Sequence, residues 1–215
     1  MTFFFTYIHS SVIILLNNYS TKIGDIMTRK EQKEKRRLDI LYKGLELFVE
    51  KGYKATKITD IAEELNISVG LLFHYYSSKE DLYYELVRLG VEGTNKPIQK
   101  ENLTPIEYFE SFVSDIFNAI KNDINIARMF VLMPEAQRIG TPEKIRELAL
   151  KINIIDSFVP IIIKGQENKT IKEGNPLVLS NAFFRSVYAI CEGYAQDCSI
   201  GLPDPNYIVD IIRRY

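Results

Sequence analysis

Short predicted helices separated by tight turns run through the chain from about residue 30 to residue 93. In the first of them, Leu38, Leu41, Leu45 and Phe48 are three, four and three residues apart, so they share one helical face. Gly52 follows as a helix stop. No strand-like alternation interrupts this pattern, so the segment is predicted to be helical throughout.

The next three helices are closely spaced. Thr56 is the predicted N-cap of the second helix. Asn66 tolerates the left-handed backbone conformation that a tight interhelical turn needs, and Ser68 then caps a third short helix. Ser78, with an aspartate three residues further on, opens a fourth helix that runs to about Gly93. A second and a third helix that nearly abut form a helix-turn-helix pattern.

The third helix has an inward and an outward side. Leu72 and Tyr76 are four residues apart and suit the side that packs on the module. The residues on or beside the outward side are Val69, Gly70, Leu71, His74 and Tyr75. A recognition helix presents its first turns outward, into a DNA major groove, while its back packs on the module.

Further features of this segment suit a polyanion. Gly70 lets the backbone approach DNA closely, Ser68 can meet a phosphate through its hydroxyl or the helix N-terminus, and Lys79 is placed as a phosphate anchor. Residues 28–57 hold ten Lys and Arg against five acidic residues, although the whole chain has a net charge of −1. This surplus indicates either a phosphate-facing surface or a solvated helix face.

Residues 40–87 carry a set of motifs in a fixed order. These are an aromatic residue at a helix end, a Gly-aromatic pair, a threonine, Ile-Ala, Ser-x-Gly, a run of aromatics and Ser-Lys-Glu. In this chain they are Phe48, Gly52-Tyr53, Thr56, Ile61-Ala62, Ser68-Val69-Gly70, Phe73-His74-Tyr75-Tyr76 and Ser78-Lys79-Glu80. Taken together, the motifs resemble the DNA-binding domain of the TetR family of transcriptional regulators.

The resemblance implies a homodimer that binds a palindromic DNA operator, with an effector-binding helical domain behind the DNA-binding domain. The residues implied to contact DNA are Thr56 and Lys57 at the backbone, Ser68, Val69, Gly70 and Leu71 at the bases, and His74, Tyr75 and Lys79 at phosphates. The fourth helix is expected to link the two domains. A ligand that prefers the conformer with the wrong spacing between recognition helices would then lower operator affinity.

Three positions depart from the family pattern. Members often carry a polar residue where Val69 stands, a threonine at Leu71 and a tyrosine at Phe73. Their absence removes groups that read bases or anchor phosphates by hydrogen bonds. We therefore expect apolar contact with thymine methyl groups and readout of DNA shape, and hence an A·T-rich operator.

Residues 97–215 are predicted to form a larger helical bundle, which makes the fold class all-α. Apolar spacing predicts helices over about 106–120 and 124–133. A single helix is predicted from Ile145 to Ile162, kinked at Pro160, because proline cannot donate to the carbonyl of the preceding turn. A polar connection separates it from an apolar helix over about 176–198.

The resemblance also implies how this second half assembles. The helix over 176–198 and a last helix from Asn206 to the end would pair with their copies in a four-helix dimer interface. The candidate interface residues are Leu179, Phe184, Val187, Cys191, Tyr194 and Ile208. Apolar and aromatic side chains predict a pocket for a small apolar or aromatic effector, although each suits ordinary core equally well. The candidate pocket residues are Tyr108, Phe109, Phe112, Phe117, Phe130, Met133, Phe158, Phe183 and Tyr188.

The remaining sequence features argue against several functions. Cys191 and Cys198 are separated by about 10 Å of helix, which is too far for a disulfide, so both are predicted to be free thiols. His9 and His74 are the only histidines, and the sequence has no metal-ligand spacing, phosphate loop or nucleophile elbow. We expect no cofactor, no metal and no enzymatic activity in a cytoplasmic, nucleoid-associated protein.

The expected organisation has three parts. The apolar part of residues 1–26, from Phe3 to Leu16, is too short and too polar for a comfortable membrane span, and we expect residues 1–26 to be a dispensable extension. Residues 27–93 would be the helix-turn-helix domain, and residues 97–215 the effector-binding and dimerisation domain. Two alternatives remain: a helical interaction protein or structural dimer that has lost specific DNA binding, and a regulator tethered to a membrane by residues 1–26.

Overall fold

The computed structural model describes residues 28–94 and 102–215, so the expectations for residues 1–26 lie outside the described residues. Within those ranges the chain folds into α-helices, one 3-10 helix and two isolated β-bridges, which confirms the all-α fold class. None of the helices in this part of the chain combines the length and the apolar character needed to cross a membrane.

The helices in the described ranges are numbered in chain order. They are α1 (Arg29–Lys51), α2 (Ile58–Glu64), α3 (Val69–Tyr75), α4 (Lys79–Thr94), α5 (Pro105–Asn122), α6 (Ile124–Gln137), α7 (Glu143–Ala149), α8 (Ile154–Glu167), α9 (Pro176–Gln196) and α10 (Pro205–Val209). The described residues divide into two compact units. The first unit contains residues 28–93 and 131–151, and the second contains residues 94, 102–130 and 152–215.

Local sequence chemistry sets both ends of α1. Thr28 and Glu31 form a reciprocal capping box at its N-terminus, where the Thr28 backbone N–H donates to the Glu31 carboxylate at 2.8 Å. Gly52 ends the helix with a φ of 80°, a conformation that glycine adopts without steric cost. The predicted apolar face is buried along its whole length. The first helix of the sequence prediction is therefore confirmed.

The connection between α2 and α3 also follows the sequence. Asn66 has a φ of 52°, the left-handed conformation that closes the turn between the two helices. The Ile67 backbone N–H donates to the Ala62 carbonyl at 3.0 Å, which ends α2 in a tight turn. Ser78 then caps α4 by accepting from the Asp81 backbone N–H at 3.0 Å. The helix-turn-helix pattern is confirmed.

Two contacts bring α1 and α4 close together in the first unit. A side chain at Gly44 would place its Cβ only 2.7 Å from Leu82 Cδ2, so the two helices approach each other where α1 has no side chain. One turn further along α1, the ring of Phe48 packs edge-on to Tyr83 with a centroid distance of 5.2 Å. These contacts fix the scaffold behind α2 and α3.

The predicted single helix from Ile145 to Ile162 is wrong, because the chain breaks between α7 and α8. The Gln137 side-chain amide donates to the Ala149 carbonyl at 3.0 Å and supplies a partner that a further helical turn would otherwise provide. Pro160 lies inside α8 and does not mark the break. Both short helices bury apolar residues, and their apolar spacing happens to continue across the gap.

The predicted last helix from Asn206 to the end is also wrong. α10 is only five residues long, and the chain then pairs with the connection that follows α8. The Lys172 backbone N–H donates to the Ile212 carbonyl, and that of Arg214 donates to the Thr170 carbonyl, both at 2.9 Å. Tertiary hydrogen bonding therefore replaces the later turns of the expected helix.

Candidate nucleic-acid interface

The inward side of α3 is fixed by two residues. Leu72 is fully buried and Tyr76, directly after the helix, is only 4% exposed, as the sequence predicts. At the start of the helix, Ser68 Oγ accepts from the Leu71 backbone N–H at 3.1 Å. The cap and the buried side chains hold α3 in one orientation on the first unit.

The outward side of α3 is largely apolar and open to solvent. Leu71 is 39% exposed and Phe73 46% exposed, and both are large apolar side chains that a soluble protein normally buries. A side chain built at Gly70 would meet no atom within 4 Å, so the backbone there is open to a partner. The outward positions of Gly70 and Leu71 are as the sequence predicts, whereas Phe73 differs from the family pattern and was not among the predicted outward residues.

The remaining candidate residues of α3 differ in their exposure. Val69 and Tyr75 are half-buried, and His74 is exposed. The ring of His74 packs edge-on to that of Tyr75 with a centroid distance of 5.5 Å. Hydrogen-bonding side chains therefore lie at the two ends of the helix, at Ser68 and at His74 with Tyr75, while Val69, Gly70 and Leu71 between them have none.

The C-terminal end of α3 is attached to α1 by a polar network that the sequence did not reveal. Arg37 Nη1 lies 3.2 Å from the Tyr76 hydroxyl and 3.2 Å from Glu85 Oε1 on α4. Arg37 Nε also donates to Glu34 at 2.9 Å. Burial raises the pKa of Tyr76, so its hydroxyl stays protonated at neutral pH. This network sets where α3 ends relative to α1.

The expectations for Thr56 need correction. Lys57, not Thr56, occupies the N-cap position of α2. Thr56 is fully buried, and its Oγ1 lies 3.0 Å from the Leu47 carbonyl oxygen and 2.9 Å from the Gly52 carbonyl oxygen. Its hydroxyl is used inside the first unit, and the side chain is not available to DNA.

The expectation that Lys79 anchors a phosphate also needs correction. Its Nζ donates to the Tyr53 carbonyl at 2.7 Å and to the Thr56 carbonyl at 2.8 Å. The same ammonium lies 4.4 Å from the centroid of the Tyr53 ring. Burial lowers the pKa of Lys79. Lys79 therefore fastens α4 to the turn between α1 and α2.

Lys57 is the basic candidate that remains free for DNA. Its backbone N–H donates to Asp60 Oδ2 at 3.0 Å, which ties down the start of α2. Its side chain is exposed, and in the described part of the chain it makes no ion pair. Lys57, the outward side of α3 and its polar ends all lie on the first unit and make up the candidate interface.

Four of the candidate pocket residues form a packed aromatic cluster in the second unit. Phe109 packs against Phe183 with a centroid distance of 4.7 Å, and Phe112 packs against Phe158 at 5.0 Å. All four side chains are almost fully buried. These rings fill the space between them, so a ligand bound among them would have to separate the cluster. Phe117 is also buried, and Tyr108, Phe130 and Tyr188 are half-buried in the same unit, whereas Met133 belongs to the first unit.

Half of the candidate dimer residues are excluded from an interface. Val187 and Cys191 on α9 are fully buried within the protomer, and Ile208 on α10 is 4% exposed. Burial raises the pKa of the Cys191 thiol to about 12. These three positions are wrong because they pack against the protomer's own core. Leu179, Phe184 and Tyr194 are half-buried.

The fold and this surface define a class of protein. The short helix α3 has a serine N-cap, follows a tight turn and precedes the longer helix α4. This is the arrangement of the recognition helix in a helix-turn-helix DNA-binding protein. Residues 40–86 match the family model of bacterial regulatory proteins of the tetR family. The match covers the second half of α1, all of α2 and α3, and the first half of α4.

Relatives found by sequence are also named as regulators. The fatty acid metabolism regulator protein of Bacillus subtilis is 28% identical over 150 residues, which are 67% of this chain and 75% of that protein. The transcriptional repressor KstR2 of Mycobacterium tuberculosis is 29% identical over 113 residues, which are 51% of this chain and only 56% of KstR2.

The likeness to solved structures extends through both units. The ketosteroid transcriptional regulator KstR2 of Mycobacterium tuberculosis aligns with a TM-score of 0.66 and 19% identity, over 89% of this chain and 98% of that one. The hemolysin II regulator HlyIIR aligns with a TM-score of 0.61 and 20% identity, over 85% of this chain and 99% of that one. At these identities the likeness shows the fold. The chain is a DNA-binding transcriptional regulator whose residues 40–86 form a domain of the tetR family.

Proposed function

We propose that the chain binds a palindromic DNA operator as a homodimer, represses transcription there and is released by a small apolar or aromatic effector. The outward side of α3 carries this proposal, because it exposes Leu71 and Phe73 beside the open backbone of Gly70. A major groove covers such a helix and gives its apolar side chains a partner. A regulator of this kind acts on the chromosome, which places it in the cytoplasm with the nucleoid.

The composition of the same surface predicts how the operator is read. Bidentate hydrogen bonds to guanine or adenine need Arg, Lys, Asn or Gln side chains, and the first turn of α3 has none of them. Val69 and Leu71 offer apolar contact, which fits the C5-methyl group of thymine. We therefore propose an A·T-rich operator that is also recognised by its shape.

The proposed effector binds in the second unit. The phenylalanine cluster of Phe109, Phe112, Phe158 and Phe183 gives an apolar surface for it once the rings separate. The names of two similar proteins refer to fatty acid metabolism and to ketosteroids, which are apolar classes of molecule. An effector that prefers the separated cluster would stabilise a conformer with lower operator affinity, and α4 would transmit the change to α3.

Selection of bound sequences from random double-stranded DNA by the full chain tests this function. We expect enrichment of a palindromic, A·T-rich consensus. A G·C-rich consensus would contradict the proposed readout and leave the regulator in place. Failure to enrich any sequence would favour the alternative of a helical interaction protein that has lost specific DNA binding.

A variant at Gly70 makes the test specific to α3. Gly70→Leu places a side chain in open space, so we expect the protein to fold and to lose binding to the selected operator in a gel shift. Glu167→Leu adds the same side chain at an exposed end of α8 and should leave binding unchanged. Equal binding by both variants would show that α3 does not enter the groove.

A further inference from the structure

Two side chains of the first unit that were expected to hold DNA phosphates, Thr56 and Lys79, are bonded to the protein's own backbone. The Thr56 hydroxyl faces backbone carbonyls in the interior, and the Lys79 ammonium donates to carbonyls of the turn between α1 and α2. A helix with an apolar outward face gains little from base contacts alone, so phosphate contacts must supply most of its affinity. Another basic surface is therefore needed.

Charge is distributed unevenly over the first 67 described residues. Residues 28–37 hold six basic residues against two acidic ones, whereas residues 38–94 hold six basic residues against ten acidic ones. The positive surplus is thus confined to the N-terminal turns of α1. The remainder of this segment carries a net negative charge, so it supplies few positive groups for phosphates besides Lys57.

Three of these basic residues share one face of α1. Arg29, Lys33 and Arg36 are four and three residues apart, a spacing that aligns side chains along a helix. Arg29 and Lys33 are exposed and Arg36 is half-buried. Among the described residues none of the three has an ion-pair or hydrogen-bond partner through its side chain. We call this set the α1 basic face.

The α1 basic face begins beside the end of the recognition helix. Arg37, the next residue on the same side of α1, contacts the hydroxyl of Tyr76, which directly follows α3. From Arg37 the helix extends back to Arg29, a distance of about 12 Å at the rise of an α-helix. Duplex DNA that receives α3 in its major groove has a phosphate backbone at the edge of that groove, and the contact between Arg37 and Tyr76 puts the start of the α1 basic face next to the end of α3.

The positions of Arg29, Lys33 and Arg36 are electrostatically unfavourable for α1 by itself. Like charges three and four residues apart repel each other, and positive charges near a helix N-terminus oppose the helix dipole. Neighbouring Arg37 is compensated by Glu34 and Glu85, whereas the α1 basic face is not. An external polyanion would relieve this repulsion.

We propose that Arg29, Lys33 and Arg36 bind backbone phosphates of duplex DNA on the flank of the recognition helix, which makes α1 the main electrostatic anchor of the first unit. This assignment rests on the proposed DNA-binding function and adds residues outside the helix-turn-helix motif. Phosphate contacts release counterions, so the logarithm of the binding constant falls with the logarithm of salt concentration by about 0.9 for each phosphate neutralised.

The test measures binding of the full chain to a random-sequence duplex of about 30 base pairs, long enough for any docking register, at several salt concentrations. Fluorescence anisotropy of the labelled duplex reports the binding. The variant Arg29→Gln/Lys33→Gln/Arg36→Gln should reduce the salt slope by about 2 to 3. Its helical content should match the wild type in circular dichroism, because α1 keeps its capping box and its apolar face. The variant Lys121→Gln/Lys164→Gln/Lys169→Gln removes the same charge from exposed positions of the second unit and should keep the wild-type slope.

Two single substitutions on α1 distinguish phosphate binding by the α1 basic face from a general attraction between a basic helix and DNA. Lys33 and Lys35 are both exposed, but they lie about 200° apart around the helix. Lys33→Gln should lower the slope by about 1, and Lys35→Gln should leave it unchanged. Equal effects of the two substitutions, or an unchanged slope for the triple variant, would overturn the assignment while DNA binding stands. Absence of salt-dependent binding by the wild type would overturn the proposed function together with it.

Discussion

At the scale of single residues, a side chain can match a DNA-contact motif and still be unavailable to DNA, because it is already bonded within the protein. Thr56 and Lys79 have the chemistry to hold a phosphate, but a hydroxyl or an ammonium donates equally well to a backbone carbonyl. In this chain both turn inward and hold residues 52–57 in place. Their role is to position the turn between α1 and α2, and through it α2 itself.

Removing the Thr56 hydroxyl should therefore reduce stability. Thr56→Val keeps the shape of the side chain but removes the buried hydroxyl that donates to the Leu47 or the Gly52 carbonyl, at a cost of about 1–2 kcal/mol. Urea unfolding followed by circular dichroism would measure the loss. Thr59→Val, at an exposed position of α2, should change the free energy of unfolding by less than about 0.5 kcal/mol. Similar small losses in both variants would contradict the buried role of Thr56.

At the scale of helices and turns, the sequence predicts most where one residue determines the backbone locally. Gly52, Asn66 and Ser68 could be assigned from sequence because a helix stop, a left-handed turn and an N-cap each depend on a single side chain. The break between α7 and α8 could not, because it depends on Gln137, which reaches across from another helix. The same reason explains why the inward direction of Lys79 was missed: its acceptors lie more than 20 residues away in the sequence.

The orientation of α9 gives a chemical prediction. Cys191 faces the core with a pKa of about 12, whereas Cys198 lies beyond the end of the helix and is exposed. Since the thiolate is the reactive form, only Cys198 should react rapidly with a disulfide reagent at pH 8 in the native protein. We expect one reactive thiol per chain before unfolding and two in guanidinium chloride.

A cysteine variant provides the control for this experiment. Cys198→Ser should abolish the rapid phase and leave only the slow reaction that accompanies unfolding. Two rapid thiols in the wild type would show that α9 does not direct Cys191 into the core, and would reopen that residue as an interface candidate.

At the scale of the whole molecule, the proposed dimer has to be assembled differently from the sequence expectation. α10 is too short to be one of two long interface helices, and Val187, Cys191 and Ile208 are already buried. One face of α9 that remains exposed carries Val178, at 62% exposure, and then Ala182, Arg185 and Ala189. The small side chains of Ala182 and Ala189 allow close approach of a second copy, so we propose this face as the interface.

A charge on this face should separate the proposed dimer. Ala189→Arg is tolerated by the protomer because the position is exposed, but it adds a second arginine beside Arg185 in each copy and so concentrates positive charge in the shared surface. We expect light scattering to show a dimer for the wild type and a monomer for the variant. Operator affinity should fall at least tenfold, since one monomer occupies a single half-site, whereas the palindrome offers two about 34 Å apart. Asn118→Arg makes the same charge change at an exposed position of α5 and should leave both measurements unchanged. A variant that stays dimeric would place the interface on another surface.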